Sequence, residues 1–329
     1  MRKSIIAVLA AVLVLASLCS CTVLSSTKRE SEAVLTVGEH SVPYELYYYI
    51  SENVKKDLPE ADRQTVDGET YQILREMYAA FELAEDLGIA FDDEYIASAV
   101  DDAVSLAIEE CGSKAKYKDA LSENCMNDSV FRFLEKHSRT ADEALAALID
   151  SGKYPTDLDG VRSLVLSDEF VCVKQILVKS ENSKSSYDDT YINAGEKKTD
   201  EEALAIAEKA RDKALAGEDF DSLVNEYGES LYMFNNTDGY YVCRGMWDGV
   251  NEDAVFALEM GEVSEVIESE SGYSVFLRCE KSESFIEKNA SSLATDYHKA
   301  QYNLMLEKIA EELEVKPLEA LESIRAEEK

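Results

Sequence analysis

Positive charge is scarce in this sequence. Its 33 lysine and arginine residues stand against 67 aspartate and glutamate residues, which gives a formal net charge of −34. A chain with this charge repels phosphate groups, so nucleic-acid binding is excluded. It also repels a bare anionic lipid surface, so attachment to a membrane requires something other than surface charge. The acidity favours basic partners instead.

Histidine is also scarce, and the cysteines follow no metal-binding or redox pattern. The seven cysteines include no CxxC pair and no metal-ligand spacing with the three histidines. Two of the seven, Cys19 and Cys21, lie near the N-terminus, and the remaining five are an odd number, which argues against a complete disulfide framework. Cys172, Cys243 and Cys279 alternate with apolar residues, so we predict small buried side chains. We expect no metal and no cofactor.

A long apolar run occurs at the N-terminus. Arg2 and Lys3 precede the stretch from Ile5 to Ser17, which is too short to span a bilayer permanently. This pattern is typical of a secretory signal peptide, predicted over residues 1–20. The run ends in Leu18-Cys19-Ser20-Cys21, which resembles the bacterial lipobox, and we predict that Cys21 is lipidated. The alternative is an ordinary secretory signal in which these cysteines are incidental.

Lipidation at Cys21 would fix the location of the protein. Two acyl chains anchor a protein stably, whereas one chain binds only marginally. The polar residues 21–32 are predicted to form a tether between the anchor and the folded part. We therefore expect a lipid-anchored protein on the extracytoplasmic face of the cell membrane.

Residues 33–166 are predicted to form a mostly helical domain. Pro43 is typical of a helix start, and the following apolar residues have helical spacing. These residues are Leu46, Tyr47, Ile50 and Val54. Residues 283–329 contain a further amphipathic helix, which cannot fold alone. We predict that this C-terminal segment completes the helical domain, so that residues 167–282 form an insertion.

Residues 167–282 have the pattern of a small α+β domain. The predicted order is β-α-α-β-α-β-β, with a strand over Val171–Val178. Thr199 and Glu202 have the spacing of a capping box at the start of the first helix, and Gly217 is predicted to end that helix.

Motifs in this segment resemble those of parvulin-type peptidyl-prolyl isomerases. The stretch "NTDGYYVCRGM" keeps Asp238, Tyr241 and Gly245 of the family pattern. The stretch "EDAVFALEMGEVSEVIESESGYSVFLRCE" matches the family in spacing at Glu252, Ala254, Phe256, Leu258, Gly261, Glu262, Ser264, Val266, Gly272 and Tyr273. With the lipobox and the flanking helices, the whole resembles extracytoplasmic foldase lipoproteins of the PrsA and SurA kind. The resemblance implies an α+β fold, with a parvulin-like small antiparallel sheet and its surrounding helices inserted in a mostly helical SurA/PrsA-like chaperone domain.

The stretch "VCVKQILVKS" places a glutamine on the apolar face of a predicted strand. A buried amide without partners costs roughly 1–3 kcal/mol, so Gln175 requires an explanation. The resemblance places Gln175 and Ser274 at the positions of the two catalytic histidines of the family. It places Ser230 at the family's catalytic cysteine or aspartate, with Glu229 as a neighbouring candidate. These replacements imply a weaker, neutral hydrogen-bond network.

The resemblance also implies a surface that binds the proline ring of a substrate. Its predicted members are Tyr241, Val242, Trp247 and Asn251. Asn251 stands where the family has an aromatic residue, so capture of proline should be weaker.

The function implied is that of a membrane-anchored foldase or chaperone that binds unfolded secreted polypeptides. Its peptidyl-prolyl isomerase activity is expected to be weak or lost. The alternatives are a fully active isomerase and a wall-binding or adhesion lipoprotein that uses the same fold. The sequence determines neither the clients nor the oligomeric state.

Overall fold

The computed structural model describes residues 31–90, 94–183, 197–247 and 249–327. Two compact units make up the chain, one within Met1–Asp150 and Met305–Lys329, the other within Ser151–Leu304. The first unit is therefore discontinuous in sequence, and the second lies between its two segments. Both units mix helices with a small antiparallel sheet, so the α+β class is confirmed.

The helices and strands have the following bounds. The helices are α1 (Tyr44–Asp57), α2 (Arg63–Asp86), α3 (Glu94–Cys111), α4 (Lys114–Glu123), α5 (Asp128–Asp150), α6 (Leu158–Leu166), α7 (Asp200–Leu215), α8 (Phe220–Tyr227), α9 (Leu231–Asn235), α10 (Gly249–Ala257), α11 (Glu283–Glu312) and α12 (Glu319–Glu327). The strands are β1 (Ala33–Val37), β2 (His40–Pro43), β3 (Phe170–Val178), β4 (Tyr240–Cys243), β5 (Ile267–Ser269), β6 (Gly272–Cys279) and β7 (Val315–Pro317).

The first helix of the first unit begins where the sequence predicts. Helix α1 starts directly after Pro43, and α2 ends just before Gly88, which has a φ of 83°. A φ in this region carries little steric cost for glycine alone. The apolar stripes of these helices meet in one core, which includes Leu46, Ile50, Val54, Leu74, Phe81, Val130 and Leu134.

The C-terminal segment contains a strand that the sequence pattern does not reveal. In the first unit the strand order is β2-β1-β7, and Val37 pairs with Val315. The prediction of helices alone after residue 282 is therefore wrong at Val315–Pro317. Three residues are too few to show the alternation of a strand, and the partner strand is far away in sequence. Leu321 on α12 is fully buried in the same core.

The second unit contains a four-stranded antiparallel sheet in the order β4-β3-β6-β5. The predicted element order is confirmed, with α9 as an additional short helix. Thr199 and Glu202 form the predicted capping box at the start of α7. Helices α7 and α8 pack on the face of the sheet that carries Ile176 and Val178.

The second unit extends beyond the sequence segment 167–282 on both sides. Phe170 and Cys172 lie on the same face of the sheet as Ile176, and they pack against Val165 of α6 and against Ile286 and Tyr297 of α11. The boundaries predicted at 166/167 and 282/283 therefore differ from the compact units, which divide at 150/151 and 304/305. Residues outside the parvulin-like segment complete its apolar core.

The cysteines of the second unit are small core residues. Cys172 and Cys243 are buried and Cys279 is half-buried, and all three are free thiols. Burial raises the pKa of the Cys172 and Cys243 thiols to about 12. Such thiols are not nucleophilic at neutral pH, in agreement with the predicted packing role.

Candidate functional site

The candidate site lies on the face of the sheet opposite to α7 and α8, which we call the Gln175 face. Side chains of a strand alternate between faces, so Val171, Val173 and Gln175 share this face. Helix α10 covers part of it, because Val255 packs with Val171, Val173, Val242 and Phe276. The strands thus place one polar side chain of β3 beside an apolar floor.

Gln175 and Ser274 form a direct hydrogen bond on this face. Strands β3 and β6 are neighbours, and Gln175 pairs with Phe276 while Leu177 pairs with Ser274. The Gln175 Nε2 donates to the Ser274 Oγ at 2.9 Å. Ser274 is fully buried, so this bond satisfies a polar atom that would otherwise destabilise the sheet. The predicted proximity of Gln175 and Ser274 is confirmed, while their catalytic role stays a prediction.

Ser230 takes part in a different pair. Its hydroxyl caps α9 and lies 3.0 Å from the hydroxyl of Tyr240. In the hydrogen bonds that the described residues make, Ser230 therefore joins Tyr240 rather than Gln175 or Ser274. The predicted network of three residues is two separate pairs.

The neighbouring candidate, Glu229, is tied to the backbone beside the sheet. Its buried carboxylate accepts a hydrogen bond from the Lys179 backbone N–H at 2.8 Å and forms an ion pair with the Lys198 ammonium. A carboxylate held this way fixes the end of β3. It is already fully engaged, which argues against a role as a free acid or base.

The prediction that Tyr241 binds substrate is wrong in its geometry. Tyr241 pairs with Cys172 across β3 and β4, so it lies on the opposite face from Gln175. Its ring stacks on Phe285 at 4.6 Å, and its hydroxyl accepts a hydrogen bond from the Ser282 backbone N–H at 2.6 Å. A shift of one residue along a strand exchanges the two faces. Tyr241 is a core residue of the helical side.

Tyr240 is the residue that sequence reasoning missed. It pairs with Val173 and so lies on the Gln175 face. Its ring stacks on Tyr232 of α9 at 4.3 Å. Burial raises the pKa of its hydroxyl to about 12, so the group stays neutral and acts as both donor and acceptor. Side chains alternate between faces along β4, but this alternation assigns Tyr240 to the Gln175 face only when the pairing of β4 with β3 is known.

The other predicted substrate-binding residues lie on or beside the same face. Val242 is fully buried in its floor. The Trp247 ring is half-buried, 5.2 Å from the Tyr240 ring and 5.8 Å from the Phe276 ring. Asn251 lies on α10, and its Oδ1 is buried without a hydrogen-bond partner among the described residues. The rings of Tyr232, Tyr240, Trp247 and Phe276 thus form a continuous aromatic row that runs from α9 onto the sheet.

The chemistry available at this site is neutral hydrogen bonding. The amide of Gln175 and the hydroxyls of Ser274, Ser230 and Tyr240 donate and accept, but they do not exchange protons near neutral pH. Across the part of the chain that the structure describes, no group of histidine, cysteine, aspartate or glutamate residues could hold a metal ion.

A comparison with protein families identifies this part of the chain. Residues 186–280 match the family model described as "Rotamase: PPIC-type PPIASE domain". The segment is therefore a PpiC-type rotamase domain, that is, a parvulin-type domain, and the predicted family is confirmed for it. No curated protein matches the sequence significantly.

Solved structures of similar proteins include isomerases and foldases. A peptidyl-prolyl isomerase from Candida albicans is 25% identical, covering 43% of this chain and 76% of its own, with a TM-score of 0.32. The peptidylprolyl isomerase PrsA from Bacillus anthracis is 17% identical, covering 73% and 94%, with a TM-score of 0.34. The foldase protein PrsA from Streptococcus pneumoniae is 18% identical, covering 89% and 93%, with a TM-score of 0.34. These TM-scores are low, so the domain assignment depends on the family model.

Proposed function

We propose that this protein is an extracytoplasmic foldase or chaperone that binds extended segments of unfolded, secreted polypeptides on the Gln175 face. Its peptidyl-prolyl isomerase activity is weak or absent. The observation that carries the proposal is the 2.9 Å hydrogen bond from Gln175, on the strand that precedes the matched residues 186–280, to Ser274 within them. By motif resemblance, the same two positions are occupied by catalytic histidines in the family.

Weak catalysis follows from the chemistry of the reaction. Rotation about a peptide C–N bond has a barrier of about 18–20 kcal/mol, but no bond is broken. An enzyme therefore needs to bind the twisted amide better than either planar form. The bond between them uses one N–H of the Gln175 amide and an acceptor site of the Ser274 hydroxyl. The donors that remain for a substrate carbonyl are a second amide N–H and a hydroxyl, which are neutral and form weaker hydrogen bonds than a charged imidazolium. The aromatic rings of Tyr240 and Trp247 supply an apolar surface for a proline side chain.

Two assays on the full chain test the proposal. Protease-coupled isomerisation of an X-Pro peptide should proceed far more slowly than with a parvulin that has both histidines. Aggregation of a denatured client should nevertheless be suppressed. A rate equal to that of an intact parvulin would contradict the weak-activity proposal and favour the fully active isomerase. Absence of both activities would favour the wall-binding or adhesion alternative.

The proposed location depends on lipidation of Cys21, since the surface is too acidic to hold the protein on anionic lipid. The signal peptide at 1–20 and Cys21 lie outside the described residues. Among the helices that the structure does describe, none is both long enough and apolar enough to cross a bilayer. The acidity also supports clients with basic segments.

A further inference from the structure

A buried carboxylate lies beside the aromatic row and has no role in the function described so far. Glu252, on the first turns of α10, is only 8% exposed. A buried carboxylate is destabilising unless its oxygens are hydrogen-bonded or paired. Its contacts therefore indicate which part of the molecule depends on it.

Both carboxylate oxygens of Glu252 are directed to the turn that follows β4. The Oε2 accepts hydrogen bonds from the backbone N–H of Gly245 at 2.9 Å and of Trp247 at 3.2 Å. The Oε1 lies 3.6 Å from the Arg244 guanidinium. One side chain thus holds three of the four residues from Arg244 to Trp247.

The backbone of this turn is tight at Gly245. Gly245 has a φ of 86°, a conformation that residues with a Cβ rarely adopt. A Cβ at this position would lie 2.6 Å from the Ala300 carbonyl oxygen. A side chain therefore cannot be added at this position without moving the backbone. Without the Glu252 carboxylate, the backbone N–H groups of Gly245 and Trp247 would lack the hydrogen bonds that they donate to it.

We propose that Glu252 is a positioning residue that fixes Trp247 on the Gln175 face, and that client binding depends on Glu252 through Trp247. The Trp247 backbone N–H is bonded to the carboxylate, while the Trp247 ring packs between Tyr240 and Phe276. Loss of the carboxylate frees the backbone from which this ring projects. The inference rests on the proposed function, because it assigns Trp247 to the peptide-binding surface.

The chain offers a direct readout, because Trp247 is its only tryptophan. Intrinsic fluorescence therefore reports this one ring. The test variants are Glu252→Ala, Glu252→Gln, which keeps an acceptor oxygen, and Glu252→Met, which keeps the volume without an acceptor. Asp253→Ala is the matched control, because Asp253 binds the same Arg244 guanidinium at 2.7 Å but is exposed to solvent.

Fluorescence should separate the variants without any ligand. In Glu252→Ala and Glu252→Met the Trp247 emission should shift to longer wavelength, and quenching by acrylamide should increase. Glu252→Gln and Asp253→Ala should behave like the natural protein. Far-UV circular dichroism and thermal unfolding identify variants that fail to fold, and Glu252→Met decides the question if Glu252→Ala is one of them. Unchanged quenching in a folded Met variant would overturn the proposal, as would an equal change in Asp253→Ala.

Peptide binding then tests whether the position of Trp247 matters. The probe is a fluorescein-labelled Lys-Ala-Ala-Pro-Ala-Lys peptide, which contains no tryptophan. Glu252→Ala should raise the Kd for this peptide by about tenfold, because the two hydrogen bonds that hold the turn are lost. In a Trp247→Ala background the same change should have no further effect, because the two residues act through one contact.

The outcomes distinguish this proposal from the proposed function. If the natural protein binds no peptide, the proposed function fails, and the fluorescence of the unliganded variants alone decides whether Glu252 fixes Trp247. If the peptide binds and Glu252→Ala moves Trp247 without changing the Kd, the proposed function stands and Glu252 still fixes Trp247, but the dependence of client binding on this contact is overturned.

Discussion

Two neutral side chains occupy the centre of the candidate site, and this choice of residues limits its chemistry. Gln175 and Ser274 bond each other directly, so neither is poised to receive a proton from a substrate. Their hydrogen bonding does not depend on pH near neutrality. These two side chains therefore offer hydrogen bonds rather than proton transfer.

Restoring both imidazoles should increase isomerase activity. General acid–base groups contribute about 10²–10⁴-fold where a reaction transfers protons, and amide rotation needs less. We therefore expect the double variant Gln175→His with Ser274→His to accelerate X-Pro exchange by less than about 10²-fold, the lower end of that range. A new decline in rate below about pH 6.5 should accompany the gain. The single variant Gln175→His is the control, and no gain in the double variant would show that the aromatic row does not accept proline.

The adjacent tyrosines of β4 should respond to mutation in opposite ways. Tyr240→Ala removes a ring from the Gln175 face, so we expect weaker binding of a proline peptide. Tyr241→Phe removes only the hydroxyl that bonds Ser282, so we expect a loss of about 1 kcal/mol in unfolding free energy and unchanged binding. Peptide anisotropy and urea unfolding measure the two effects. Weaker binding in Tyr241→Phe alone would contradict the assignment of faces.

His137 should make the first unit sensitive to acid. Its imidazole is 4% exposed beside Phe81, and burial lowers its pKa from 6.5 to about 4. Because the folded pKa is the lower one, the unfolded chain binds the proton first as pH falls. Stability should therefore be lost between pH 6.5 and about 4, by on the order of 2–3 kcal/mol. His137→Leu should lose less stability over this range in urea unfolding than the half-exposed control His40→Gln; equal losses would contradict the prediction.

At the scale of helices and strands, the predictions that depend on a few neighbouring residues are confirmed. The capping box of Thr199 and Glu202 and the helix stop at Gly217 are each encoded within one turn of chain. Strand β7 is different, because its three residues are ordered by pairing with β1 at the other end of the sequence. The same holds for the choice between Tyr240 and Tyr241, which depends on the register of β3 with β4.

The helices that flank the parvulin-like segment should be needed for its stability. Phe170 and Cys172 are fully buried, and residues of α6 and α11 cover them. We therefore expect a fragment of residues 151–304 to unfold cooperatively at a higher Tm than a fragment of residues 168–282. Removing the covering helices exposes apolar surface that stabilises by about 25 cal/mol per Å² when buried. Equal Tm values in thermal unfolding would show that the shorter segment is self-sufficient.

For the whole molecule, a lipid anchor at the predicted residue would determine where the acidic protein works. The Leu-Cys-Ser-Cys stretch predicts Cys21 as the lipidated residue, so Cys21→Ser should abolish metabolic labelling with a fatty acid and leave an unprocessed precursor. Cys19→Ser is the matched control and should be labelled normally. The reverse result would move the cleavage site to Cys19. Normal labelling of both variants would contradict lipidation at either residue.

The sequence by itself determined the α+β class and the order of elements in the second unit, and it predicts a motif register that places Gln175 and Ser274 at the catalytic positions of the family. These features depend on local periodicity, capping and spacing, which are written within short stretches of chain. The tertiary structure alone decided that Ser230 joins Tyr240, that Tyr241 belongs to the core, that β7 completes a sheet, and that α6 and α11 cover Phe170 and Cys172. Each of these depends on contacts between residues far apart in sequence, and a single sequence carries no signal for which distant partners meet.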